Sequence, residues 1–161
     1  MKTSLFAFAA LIGFAVWIGP GMAQSSGKSD APGYRPGLGD LMTTTVQPRH
    51  IKLALAAQEK NWDYAAYELH ELSEAFGRIV QVWPEWRSMP IPDMLHAALD
   101  VPMANLAGAV KRTDAVEFAT AYRQLTDGCN ACHQGANRGF VVIKPPQASS
   151  YPDQDFKPSG N

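Results

Sequence analysis

Apolar residues recur every three or four positions through most of the chain. Met42, Val46, His50, Leu53 and Ala57 follow one another at steps of 4, 4, 3 and 4, which is one stripe of an amphipathic helix. Asp40 stands where an N-cap is expected, and Pro48 predicts either a bend or a helix that starts near Gln47. From Trp62 a second stripe runs through Leu69, Leu72, Phe76, Ile79 or Val80, and Trp83, with Glu68, Glu71, Glu74 and Arg78 off it. Trp62, Tyr67, Phe76 and Trp83 belong to packing at this spacing. Pro84 ends the helix, and Pro84–Pro92, with three prolines in nine residues, reads as a loop. Met94–Lys111 is helical again, with Asp100-Val101-Pro102 as a point where it divides into two pieces. Asp114, with Glu117 three residues later, opens a fourth helix in a capping-box arrangement. Its expected buried stripe is Val116, Ala119, Tyr122, Leu125 and Cys129.

Gly135–Asn161 breaks the pattern. Phe140-Val141-Val142-Ile143 is one short apolar run, and Pro145, Pro146, Pro152 and Pro158 follow it. Four apolar residues are too few for a core of their own, so the run is expected to fold back over the mouth of the helical core. With no internal repeat and no alternation of strands with helices, the chain is all-α: an antiparallel four-helix bundle with a C-terminal extended tail. The expected bundle spans residues 38–139 and the Pro-rich tail 140–161.

The N-terminus reads as an address. Lys2 precedes an uncharged run, Leu5–Ile18, which Gly19-Pro20 breaks, and Gly21-Met22-Ala23 has small residues at both ends. This is the layout of a secretory signal peptide cleaved after Ala23, and the run is short of the roughly 18 residues of a membrane anchor. Residues 24–37, rich in Ser, Gly and Pro, form an expected flexible leader. The expected protein is therefore exported to the periplasm, with no stable membrane insertion after cleavage.

Composition narrows the chemistry. The chain is 46% hydrophobic and 18% charged, and 14 Lys and Arg against 15 Asp and Glu leave no basic excess for nucleic acid. The two cysteines cannot build a disulfide-dense scaffold or a four-thiolate zinc site. They fall in Cys129-Asn130-Ala131-Cys132-His133, the spacing that attaches a c-type haem. On a helix, positions i, i+3 and i+4 share a face, so both thiols can form thioethers at one porphyrin edge while His133 turns to the iron. A Cys129–Cys132 disulfide is one alternative. A thioredoxin-like site wants a βαβ unit, and a zinc site wants two ligands beyond the cysteines, for which His50, His70 and His96 are too scattered.

A helical chain with this motif after its fourth helix resembles the class II c-type cytochromes, the cytochrome c-prime type. The resemblance covers Leu38 to about Gly135. Gln47-Pro48-Arg49-His50-Ile51-Lys52-Leu53, Asn61-Trp62 and Ala65-Ala66-Tyr67-Glu68-Leu69, with a tail like Phe140–Phe156, also resemble a bacterial group of exported cytochrome c-like proteins. The resemblance implies one covalently attached haem c, pairing of two copies through the first two helices, and a sixth-ligand position near the start of the first helix. Met42 stands there; His50, two turns deeper on the same stripe, is the alternative, and an open site is the third. Arg49 is a candidate partner for a haem propionate, with a solvated surface arginine as its alternative. Tyr122, one stripe position before the motif, is a candidate lining residue. His70 is expected in solvent, and His96 is not expected in the site.

These readings imply a mono-haem cytochrome that passes single electrons between transient redox partner proteins, with no bond-making by the protein. The alternative is a five-coordinate, gas-binding cytochrome of the c-prime type. A peroxidase-like enzyme would want a distal base, for which His50 is the sole candidate.

Overall fold

The computed structural model describes residues 33–160. The expected signal peptide (1–23) and most of the expected leader lie outside those residues. The described chain is mostly helical: α1 (Leu38–Leu41), a π-helical turn (Met42–Val46), α2 (Gln47–Gln58), α3 (Trp62–Val82), α4 (Ile91–Lys111) and α5 (Ala115–Gly135). Among these, no helix is long and apolar enough to cross a membrane.

The first three pieces follow on without leaving the right-handed helical region. Pro48 explains the π turn. A proline ring clashes with the carbonyl four residues back, here Thr44, and its nitrogen has no hydrogen to give. Widening the turn absorbs the clash, with the Gln47 amide donating to the Met42 carbonyl five residues back. Thr43 and Thr44 hydroxyls donate to the carbonyls of Gly39 (2.8 Å) and Asp40 (2.7 Å), and Thr45 does the same to Leu41. The N-cap is Gly37 rather than Asp40; Asp40 sits three residues in and its carboxylate accepts from the Gly37 amide at 3.3 Å.

Two helix-to-helix corners use the same device. Lys60 (φ 58°) and Thr113 (φ 54°) take the left-handed conformation just past α2 and α4. At the first corner, Lys60 N donates to Ala57 O and Asn61 N to Ala56 O; at the second, Thr113 N donates to Val110 O and Asp114 N to Ala109 O. This is the paired bond of a Schellman motif. In each case the next residue caps the next helix: Asn61 accepts from Tyr64 N, and Asp114 from Val116 N and Glu117 N. Three linking residues thus turn one helix into the next.

α4 is unbroken at Pro102, which is buried within it. Pro102 cannot donate to the Ala98 carbonyl, and α5 comes in at that point: a Cβ on Gly128 would overlap the Ala98 oxygen. With Asn105 Nδ2 bonded to Gln124 (3.3 Å), the register runs 98 to 128 and 105 to 124, so α4 and α5 are antiparallel. Between α3 and α4, the expected loop contains a small hairpin, β1 (Glu85–Trp86) against β2 (Met89–Pro90), closed by Arg87 and Ser88, both at positive φ. Two consecutive left-handed residues suit the right-handed twist of the strands.

Leu53, Leu72, Ile79, Leu106 and Leu125 are wholly buried at the centre of the core, each worth roughly 1.5–3 kcal/mol. Three stripe expectations are corrected. Val116 (80% exposed) and Ala119 face outward, because the phase of α5 is set by Phe118, which stacks on Tyr122 (5.8 Å) and meets Trp62 edge-on (6.0 Å). Tyr67 is half exposed. Glu68 is 1% exposed rather than on the polar side, because Arg49 supplies its counter-charge.

The ends of the described chain are tied down. Trp83 Nε1 donates to the Pro36 carbonyl at 2.9 Å while the Arg35 guanidinium lies over the Trp83 ring, so the last leader residues are fixed to α3. At the other end Phe156 is buried, stacked on Tyr64 at 5.5 Å, and Asn61 Nδ2 donates to the Lys157 carbonyl.

Candidate functional site

One apolar cavity of 430 Å³ gathers most of the chemistry-bearing side chains. Cys129, Cys132 and His133 enter it from the last turns of α5. Met42 and Val46 enter from the π turn and His50 from α2. Leu72 and Phe76 of α3, Leu95 and Leu99 of α4, and Trp86 of the hairpin close much of the remaining wall. Met42, Val46 and His50 share one side despite the π turn, so the stripe read from spacing survives the irregularity that Pro48 imposes.

His133 has one ring nitrogen fixed: its Nδ1 lies 2.8 Å from the Val141 carbonyl oxygen, which can only accept, so Nδ1 is the donor and Nε2 is the nitrogen left free of that bond. Asn130 holds the same segment through both halves of its amide: Nδ2 donates to the Ile143 carbonyl (3.0 Å) and Oδ1 accepts from the Ile143 amide (2.8 Å). The chain can return along the motif because α5 ends in another Schellman turn. Asn137 is left-handed (φ 55°), its amide donates to Gln134 O, and Arg138 N donates to His133 O. Val141 and Ile143 line the cavity, Val141 from a partly exposed position, whereas Phe140 and Val142 are more exposed and do not line it.

His50 lines the cavity with both nitrogens occupied. The Thr126 hydroxyl donates to the Tyr122 carbonyl at 2.9 Å, which leaves it to accept from His50 Nε2 at 3.1 Å. The Tyr122 hydroxyl lies 2.8 Å from both His50 Nδ1 and the His50 carbonyl, and its ring packs on the imidazole at 4.6 Å. Burial pushes the His50 pKa down to about 4 and raises that of Tyr122, so both are neutral near pH 7. Burial also lifts the Cys129 thiol to about 11, with Cys132 nearby adding to it, and raises that of Cys132. Protonated thiols are neither good nucleophiles nor ready metal ligands.

No family model, curated protein or solved structure matches the chain. Its residues therefore carry the argument alone.

Of the candidate residues, Cys129, Cys132, His133, Met42 and His50 line the one cavity. Tyr122 stands behind His50 rather than in the lining. Arg49 is not among the lining residues: its guanidinium bonds Glu68 (3.1 Å) and Glu71 (3.2 Å), and the buried Glu68 carboxylate needs that counter-charge. The guanidinium among the described lining residues is instead Arg138, which lies over the Trp86 ring. Arg138 sits outside any periodic segment, and only the turn at Asn137 brings it back. His70 is exposed, and exposed His96 pairs with Asp100. No group of three or more His, Cys, Asp or Glu side chains that could hold a metal ion occurs among the described residues.

Proposed function

We propose that the protein is a periplasmic mono-haem c-type cytochrome, built as an antiparallel four-helix bundle, that carries single electrons between redox partner proteins. The observation that carries this reading is that Cys129, Cys132 and His133, in attachment spacing, line the same apolar cavity as Met42. Its 430 Å³ falls within the roughly 300–1,000 Å³ of pockets that enclose cofactor-sized molecules. The donor set fits the group: two thiols for thioethers, an imidazole whose Nδ1 is bonded to a backbone carbonyl so that Nε2 is the nitrogen on offer, and a thioether sulfur.

Haem supplies the Fe(III)/Fe(II) couple, and the chain supplies everything that tunes it. Cys129 and Cys132 anchor. His133 would hold the iron through Nε2, with its other nitrogen bonded to a backbone carbonyl, the usual support for a ligating histidine. Met42 would supply the second protein ligand, because His50 would first have to give up its bond to Thr126. Leu72, Phe76, Leu95 and Leu99 keep water out, and Arg138 is the partner for a propionate.

Two measurements on the exported protein test this. The mass of the denatured chain should equal the chain from Gln24 plus one haem, and optical and magnetic-resonance spectra should report a low-spin, His–Met iron. A mass of polypeptide alone would end the proposal. A high-spin spectrum with covalent haem would move the function to gas binding.

A further inference from the structure

The two residues between the cysteines of an attachment motif are free of any direct role in attachment, yet Asn130 is bonded through its whole amide to one residue of the tail. His133 lies three residues further along α5, on the same face. Val141 lies two residues before Ile143, at the bend that closes on Arg138 through its amide. Both line the cavity, Val141 at its open edge (42% exposed), while Val142 between them is 61% exposed and is not in the lining. The two contacts therefore form one register: when Asn130 grips Ile143, the Val141 carbonyl arrives at His133 Nδ1. Free imidazole in water has no such fixed partner, and without it the ring can rotate or carry its proton on the other nitrogen.

We propose that Asn130 is a positioning residue for His133, acting through the tail: its clamp on Ile143 holds the Val141 carbonyl against Nδ1, which fixes the ring plane and directs the Nε2 lone pair to the iron. The inference rests on the cytochrome reading. On it, the tail is part of the axial ligand's support, and the strength of the iron–histidine bond is set from outside the bundle. Asn130 touches neither cofactor nor iron in this role.

The test uses the full-length, haem-loaded chain with Asn130→Ala, and Ile143→Pro as a second variant that removes the clamped amide while leaving α5 untouched. Alanine is the better helix former, so α5 should keep its stability. Exchange of the Ile143 amide should speed up about tenfold in Asn130→Ala, the scale of one net hydrogen bond. In a Met42→Ala background the ferrous iron–histidine stretch should fall to lower frequency with both changes, as expected when Nδ1 loses its acceptor. Asn130→Asp, which keeps the acceptor half of the clamp, should lie between. Unchanged Ile143 exchange would overturn the clamp, and faster exchange with an unmoved iron–histidine stretch would overturn the positioning role. If the purified chain carries no covalent haem, the cytochrome reading fails by mass. The clamp is then read from the ¹⁵N shifts of His133 in that same chain: an Nδ1–H form lost on Asn130→Ala upholds it, and an unaltered tautomer refutes it.

Discussion

The buried His50 makes a pH-dependent stability that can be worked out from the structure. Removal from water, with no carboxylate among its hydrogen-bond partners, lowers its pKa from 6.5 to about 4. Above pH 6.5 the ring is neutral both folded and unfolded and contributes no pH dependence. As pH falls below 6.5 the unfolded chain takes up a proton that the folded chain refuses, so stability is lost until the folded pKa is reached. The full loss is about 3 kcal/mol, of which about 2 kcal/mol has gone by about pH 5. His50→Gln keeps an acceptor for Tyr122 and a donor for Thr126 but does not titrate. Urea unfolding of the haem-loaded chain and of His50→Gln, each at about pH 8 and about pH 5, isolates the term, because every other titrating group cancels in the difference. The variant should be less stable at the higher pH and should lose about 2 kcal/mol less on acidification. Parallel losses in the two proteins would show that His50 is not held neutral and that its bonds to Tyr122 and Thr126 do not describe the folded state.

Other outcomes follow from particular contacts. On the proposed cytochrome reading, Met42→Ala should convert a low-spin haem to a high-spin one that binds carbon monoxide, read optically, while far-ultraviolet circular dichroism stays unchanged. Arg49→Leu leaves Glu68 buried without its cation and should destabilise by about 3 kcal/mol in urea unfolding without moving the reduction potential; a shifted potential would return Arg49 to the site. Thr113→Gly removes a branched side chain from a left-handed position and should raise stability by about 1 kcal/mol, seen as a higher thermal midpoint. Gly128→Ala drives a methyl into the Ala98 carbonyl and should cost about 1–3 kcal/mol, with weaker haem retention because Cys129 is the next residue.

Periodicity was enough to expect a mostly helical chain, since a stripe at 3.6-residue spacing has to find an apolar partner, and the Cys129–His133 spacing could be read directly because those residues are neighbours on one turn. Met42, Val46 and His50 fell on one stripe by spacing and line one cavity. Side-chain identity could not say which of two stripes a helix buries when both are apolar: Val116 and Ala119 lost to Phe118 and Ala121 because the larger aromatic surface found Trp62 and Tyr122 to pack on. Nor could it say where charges meet. Glu68 lies nineteen positions from Arg49, and only the turn at Lys60 and Asn61 brings them together, so a glutamate with the look of a surface residue is buried. Pro48 and Pro102 were visible as interruptions, but a proline breaks a helix only if nothing absorbs its missing bond. A π turn accommodates the first, and α4 runs unbroken through the second, where Gly128 of α5 packs closely on the Ala98 carbonyl that Pro102 cannot bond. The tail was least legible, because its order comes from backbone groups that any sequence carries. The Val141 carbonyl and the Ile143 amide acquire partners only after Asn137 turns the chain back along α5, and hydrogen bonds to backbone leave no mark in the residues that accept them.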